Sequence, residues 1–306
     1  MGKSQLCLQL CVQVQLPRSL GGLDAGAIYI GTESALPTTR LAQIADSLTS
    51  NFVNSPPSHI PTEDINSALD AMASHGDRIY YYNCNDLETQ EHIVTYQLPV
   101  VLARYRVGLI ILDSVTANYR AEFDRPPPSQ RSQSQPAQMA QRSRDLRKLA
   151  GTLKDLAIEW NVAVVAVNQV TDTFKRTSSQ SISASQDEEL LSLDYQAQWF
   201  DGLIDESGIE ATKKPALGLV WANLITSRIM LVRDSPIQTR IKVVFSPFAR
   251  PGSLVYAIST EMGIHAVDTN REKLKRVEDV ESGFDLEGVE FSDFDVGELL
   301  SGQPNE

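Results

Sequence analysis

The sequence predicts an α/β protein: a mostly parallel sheet flanked by helices, with an antiparallel extension toward its end. Two continuous apolar runs, Val107 to Leu112 and Val162 to Val167, suit strands buried on both faces. Between them, Arg142 to Trp160 places Leu146, Leu149, Leu153 and Leu156 at helical intervals. Strand and helix therefore alternate, which is the pattern of a parallel sheet covered by helices. Later, Ser227 to Val232, Ile241 to Phe245 and Leu254 to Ser259 follow one another with only turn residues between them, as antiparallel strands do.

The remaining elements follow in chain order. Gln5 to Gln15 carries Leu6, Leu10 and Val14 at helical spacing, directly after Gly2-Lys3-Ser4. Cys7 and Cys11 lie one turn apart on its apolar face and, with Cys84, form no CxxC pair, so core packing is expected rather than a metal site. Ala27 to Ile30 is a short β-prone run introduced by glycines and ending at Thr32-Glu33. Thr38 to Leu48 is expected to be helical, and Asn51 to Pro61, rich in Pro, Ser and Asn, irregular. Ile79 to Tyr82 is a candidate strand, and His92 to Arg104 a helix leading into Val107. Two segments break the alternation, about 124–141 with its Pro126-Pro127-Pro128 run and about 171–214 with its Ser/Gln-rich stretch. Long loops within α/β domains are usually functional or disordered.

Composition bounds the function. The chain is 42% hydrophobic, enough for a substantial core, and no apolar run approaches the roughly 20 residues of a membrane span. The net charge of −12 is concentrated: Val277 to Glu306 holds ten acidic and no basic residues, leaving −2 on residues 1–276. A nearly neutral body with local basic loops remains compatible with nucleic acid. The expected organisation is a core over 1–267 and an acidic, disordered tail over 268–306, in which Phe284, Leu286, Phe291 and Phe294 stand among acids.

Four polar positions sit where chemistry would be placed. Gly2-Lys3-Ser4 matches the last three residues of a GxxxxGK[ST] phosphate loop, whose Lys meets the β/γ-phosphates and whose Ser holds Mg²⁺. Leu109-Ile110-Ile111-Leu112-Asp113 has the Walker B form, delivering one hard carboxylate ligand to a strand end. Glu33, at the end of another strand, can polarise an attacking water, and Gln169, just past Val167, can sense a phosphate through its amide. Each of these taken singly has an ordinary alternative as a cap or a solvated loop residue. Together they occupy one edge of a parallel sheet, where nucleotides bind.

The order GKSQLCLQL, GGLDAGAIYIGTES, VGLIILDSVTANYRAEF, NVAVVAVNQV and KPALGLVWANLITSRIML resembles the RecA-like P-loop ATPase core of eukaryotic recombinases and their paralogues, over most of residues 2–260. The resemblance implies ATP and Mg²⁺ as cofactors. It matches Gly2, Lys3 and Ser4 to the end of the phosphate loop, Ser4 and Asp113 to the Mg²⁺ ligands, and Glu33 to the catalytic glutamate. Gln169 matches the residue coupling γ-phosphate to DNA. It also implies a nuclear protein of homologous recombination that helps assemble or stabilise recombinase filaments and process crossover intermediates in double-strand break repair. The partners implied are single-stranded and branched DNA, recombinase paralogue C as a heterodimer partner, and the main eukaryotic recombinase. The two irregular segments, Tyr119 to Gln141 and Val170 to Lys214, correspond to the family's DNA-facing loops, with Arg120, Arg125, Arg131, Lys175 and Arg176 as candidate phosphate contacts.

Against the family pattern, the N-terminal domain, the strand before the phosphate loop and the loop's first glycine are missing. The expectation is an upstream start or a partner that completes the sheet. Asp187, Glu188, Glu189 and Asp194 in the second segment repel DNA and point to protein contact there. An alternative reading is a non-catalytic interaction subunit with a vestigial nucleotide site. A P-loop kinase of small molecules is a third, disfavoured by Gln169 and the paired loops.

Overall fold

Strand β1, Gly26–Gly31, is buried along its whole length because both of its faces are covered. In the computed structural model, which describes residues 2–57, 59–123, 135–172, 213–235, 238–259 and 263–267, β1 lies inside a four-stranded sheet. Its neighbours are β2, Ile79–Asn83, and β3, Val107–Asp113, and β4, Ala163–Ala166, pairs with β3. All three pairings are parallel, in the order β2-β1-β3-β4.

The period-two pleat sorts the apolar side chains into two cores. Ala27, Tyr29, Leu109 and Ile111 face α1 (Lys3–Gln13), α2 (Thr38–Asn54) and α3 (Thr62–Ala73). Ile28, Ile30, Ile110 and Leu112 face the opposite layer. That layer comprises α4 (Leu87–His92), a π-helical turn (Ile93–Gln97), α5 (Leu98–Arg104), α6 (Val115–Phe123), α7 (Gln135–Glu159) and α8 (Gly218–Ala222). Cys7, Cys11 and Cys84 are buried free thiols, as their apolar settings require.

Val170–Asp172 (β5) pairs antiparallel with Lys213–Pro215 (β6). The second sheet is antiparallel, in the order β10-β9-β8-β7, from β7 (Arg228–Arg233), β8 (Thr239–Phe245), β9 (Gly252–Ser259) and β10 (Gly263–Ala266). It is tied to α1 by Gln9, whose Nε2 donates to the Ile264 carbonyl at 2.9 Å while its Oε1 accepts the Ile264 N–H at 2.7 Å. Arg40 on α2 donates to the Ser259 carbonyl at 2.6 Å.

The fold corrects several expected boundaries. Helix α2 runs on to Asn54 because Phe52 packs into the core, extending the stripe through Leu41, Ile44 and Leu48. Helix α3 was hidden behind Pro61; its first turn carries Glu63 and Asp64, which suit a helix N-terminus, and it buries Ala68 and Met72. The segment expected to be irregular from Tyr119 to Gln141 is helical at both ends. Tyr119 and Phe123 belong to the core side of α6, and α7 begins at Gln135 with Pro136 tolerated in its first turn. The helix expected at His92 starts at Leu87, where the Asp86 side chain accepts the Thr89 N–H at 2.6 Å as an N-cap. All of these elements belong to the compact unit Met1–Ala266, and the acidic tail at 268–306 lies outside the described residues.

Candidate functional site

The carboxyl ends of β1, β3 and β4 bring Glu33, Asp113 and Gln169 to one edge of the parallel sheet. Hydrogen bonds then fix them. Thr32 follows β1, and its N–H donates to the Asp113 carbonyl at 2.9 Å, continuing the sheet by one step. The Thr32 hydroxyl accepts the Ser114 N–H at 2.7 Å and donates to the Ser114 carbonyl at 3.0 Å. The Asp113–Ser114 peptide is cis. The Ser114 hydroxyl donates to Glu33 Oε1 at 3.0 Å, and the Gln169 amide Nε2 donates to the same oxygen. Arg120, from α6, donates to Gln169 Oε1 at 3.1 Å. The Gln169 backbone is held as well, its N–H donating to the Thr116 hydroxyl at 2.9 Å. The result is a line of contacts from Arg120 through Gln169 and Glu33 to Ser114.

Asp113 is oriented from beneath by Tyr29, whose hydroxyl donates to Oδ2 at 2.7 Å. Burial, reinforced by the Asp113 charge and this hydrogen bond, holds the Tyr29 phenol far above its ordinary range, so it remains a proton donor. Oδ1 of Asp113 and Oε2 of Glu33 accept no hydrogen bond among the described residues, leaving each carboxylate one oxygen for a ligand.

Lys3 and Ser4 begin α1, which packs against β1 and β3. No side chain caps this helix, so its first N–H groups and positive dipole end are available to an anion. Gly2 precedes it at φ 80°, a left-handed conformation that glycine adopts without strain. A side chain there would meet Ile258 Cδ1 of β9 at 2.5 Å. Lys3 and Asp113 both reach the Cys7 thiol electrostatically; burial and the Asp113 charge push it up to about 12, with Lys3 opposing. Among the described residues no hydrogen bond joins Lys3 or Ser4 to Glu33, Asp113 or Gln169.

The geometry therefore assembles three of the sequence-predicted residues directly and sets Lys3 and Ser4 at a neighbouring helix start. Arg120, expected as a DNA contact, points at Gln169. Arg125, Arg131, Lys175 and Arg176 lie outside the described residues. Tyr29, Thr32, Ser114 and Thr116 escaped sequence reading as functional residues. For Thr32, Ser114 and Thr116 the one signal is position, within three residues past the strand ends that carry the charged groups, whereas Tyr29, inside β1, gives none.

The family model for Rad51 matches residues 1–55 and 64–188, more than half of the chain. The chain belongs to the Rad51 family. It is 43% identical over 254 residues, 80% of the chain, to the DNA repair protein rhp57 of Schizosaccharomyces pombe. It is 32% identical over 271 residues, 85% of the chain, to the DNA repair protein XRCC3 of Mus musculus. It is 30% identical over 293 residues, 87% of the chain, to the XRCC3 homolog of Arabidopsis thaliana. The chain spans 65% of the length of the first two relatives and 83% of the third.

The family, being RecA-like, suggests ATP with Mg²⁺ as the bound group. The residues present suit it: an uncapped helix start bearing Lys3 and Ser4, and a carboxylate, Asp113, with one oxygen held by Tyr29 and the other free. Among the described residues no helix is long and apolar enough to cross a membrane.

Proposed function

We propose that this chain is a nucleotide-binding recombinase paralogue of nuclear homologous recombination. It binds ATP with Mg²⁺ through Lys3, Ser4 and Asp113, and couples the nucleotide to DNA through Gln169. In this reading Glu33 polarises the attacking water through its free Oε2, while Ser114 and Gln169 hold Oε1. The protein acts with other Rad51-family subunits, recombinase paralogue C and the main recombinase, on single-stranded and branched DNA, stabilising recombinase filaments during double-strand break repair. The observation that carries the reading is the contact line Arg120–Gln169–Glu33–Ser114, running beside Asp113 across three adjacent parallel strand ends.

The test is a titration of the full chain with a fluorescent ATP analogue and Mg²⁺, with and without single-stranded DNA. Saturable Mg²⁺-dependent binding that Asp113→Asn weakens by at least about tenfold is the expected result. Binding indifferent to both Mg²⁺ and Asp113 refutes the nucleotide role.

A second reading, an interaction subunit whose nucleotide site is vestigial, is favoured by one contact. Ile258 of β9 closes against Gly2 at the start of α1, next to the position a phosphate would occupy. Partner binding that persists with no measurable nucleotide affinity decides for it.

A further inference from the structure

The β5–β6 ribbon is rooted in the candidate site. Its ladder sets Val170 opposite Pro215 and Asp172 opposite Lys213, and one further bond extends it at the base, where the Ala216 N–H donates to the Gln169 carbonyl at 3.0 Å. Gln169 is therefore both the foot of the ribbon and the side chain that joins Glu33 to Arg120. The incoming strand is fixed by α6: the fully buried Thr116 accepts the Gln169 N–H at 2.9 Å and donates to Asn168 Oδ1 at 2.6 Å. The outgoing strand has a different anchor. Arg142 of α7 donates through one terminal nitrogen to the Ala216 carbonyl at 3.2 Å, and Leu217, next along, enters the core that α7 lines.

The chemistry of Arg142 exceeds what local stability asks for. It is half-buried, and among the described residues the Ala216 carbonyl is its hydrogen-bond acceptor and no carboxylate pairs with it. Partly desolvating a cation opposes folding, and one neutral carbonyl offsets only part of that cost. A planar guanidinium instead fixes the direction of the bond as well as its length, which a flexible ammonium does not. Position adds a second reason. Arg142 follows directly on Tyr119 to Gln141, and Ala216 stands two residues after Val170 to Lys214, so this bond ties together the roots of the two segments read from the sequence as DNA-facing.

We propose that Arg142 is a positioning residue for the response of the nucleotide site to DNA. By holding Ala216 against α7 it keeps the ribbon in register with Gln169, so that a displacement at the root of either segment reaches the Gln169 main chain and, through its side chain, Glu33. This role rests on Gln169 linking nucleotide to DNA, whereas the hold on the ladder is measurable with neither ligand present.

The test uses the full chain in two measurements. In hydrogen exchange read by mass spectrometry without ligands, Arg142→Ala should speed exchange at the Ala216 amide about tenfold, as expected for loss of a charged donor nearby. Arg142→Lys, which keeps a donor, should restore at least half of the protection, and Arg147→Ala, the same charge change on the exposed side of α7, should leave it unmoved. In the second measurement the ratio of ATP turnover with single-stranded DNA to turnover without it should fall about tenfold in Arg142→Ala and recover in part in Arg142→Lys, while affinity for a fluorescent ATP analogue shifts less than about twofold. A merely structural loss lowers both turnovers together and leaves the ratio where it was. Unchanged exchange at Ala216, or an unchanged ratio in a chain that DNA stimulates, overturns the proposal and leaves the nucleotide reading standing. A wild-type chain that DNA does not stimulate removes the coupling role of Gln169 and that of Arg142 with it, a failure told apart by an exchange difference that persists. Salt dependence of DNA affinity that drops by about one phosphate contact in Arg142→Ala makes Arg142 a direct DNA ligand and overturns the positioning role.

Discussion

Replacing Tyr29 with Phe isolates one hydrogen bond at the centre of the site. The Tyr29 ring is 4% exposed and tilted 36° against Tyr81 at 6.4 Å, contacts that Phe retains. What disappears is the 2.7 Å donor to Asp113 Oδ2. A hydrogen bond to a charged group contributes about 1.5–3 kcal/mol net. Asp113 is half-buried, so water can replace part of the lost donor, and the expected cost lies at the lower end, about 1.5 kcal/mol. Equilibrium urea unfolding should show a lower midpoint at unchanged slope. A cycle with Asp113→Ala separates this term from side effects. Coupling of about 1 kcal/mol or more is expected, and additivity within about 0.5 kcal/mol refutes the claim that Tyr29 acts through Asp113. Because Oδ1 is untouched, Mg²⁺-dependent nucleotide binding in Tyr29→Phe should weaken only several-fold.

Glu33→Gln preserves an acceptor for Ser114 and Gln169 but removes the charge, so ATP turnover should fall by about 10²–10⁴ while nucleotide affinity holds; equal turnover would remove Glu33 from the chemistry. Arg120→Ala deletes a charged donor to Gln169, and stimulation of turnover by single-stranded DNA should drop about tenfold with nucleotide affinity unchanged, measured by a coupled ATPase assay. The Cys7 thiol, raised to about 12 from an ordinary 9.0, and the Cys84 thiol, raised to about 11, stay protonated when folded. The unfolded chain loses these protons first, so their contribution is complete below pH 9 and is lost as pH rises toward 11–12, which unfolding midpoints across that range will show. In the native state at pH 7.5 both thiols should resist iodoacetamide and react only on unfolding. Leu112→Ala, fully buried between β3 and the α6–α7 layer, should cost about 2–5 kcal/mol by urea unfolding.

The parallel sheet was readable because its strands are buried on both faces and therefore spelled as unbroken apolar runs, Ala27 to Ile30 and Val107 to Leu112 most plainly. Helix α3 was not, because polar residues dominate its exposed side and Pro61 before it resembles loop punctuation as much as a helix start. Short elements with few residues to average over, β5, β6 and β10, also carried too little pattern; β10 is placed partly by Gln9, 255 positions away. In the site, Glu33, Asp113 and Gln169 stood out as polar residues ending apolar runs. Tyr29 did not, since a tyrosine inside a strand is an ordinary core residue until the opposite strand sets a carboxylate against its hydroxyl. Nor could the sequence show that Arg120 turns toward Gln169, because that depends on the direction in which α6 leaves β3.

Helix α6 explains why these features belong together. It starts two residues after Asp113, and the Val115 N–H donates to the Val167 carbonyl at 3.0 Å, tying its first turn to β4 as well as to β3. Thr116 and Arg120, four residues apart and hence on one face, hold the backbone and the side chain of Gln169. Asn118 faces elsewhere, donating to the Asp86 carbonyl and to Gln90 at 3.2 Å each, and so reaches the end of β2. Tyr119 and Phe123, again four apart, stack with ring planes 10° apart on the side of α6 that faces α4 and α7. The nine residues of α6 thus touch the ends of three strands. Any ligand that shifts Asp113 or Gln169 must move α6 or break these bonds. The coupling is reciprocal: if nucleotide changes the affinity for a ligand that engages Gln169 or Arg120, that ligand changes the affinity for nucleotide by the same factor.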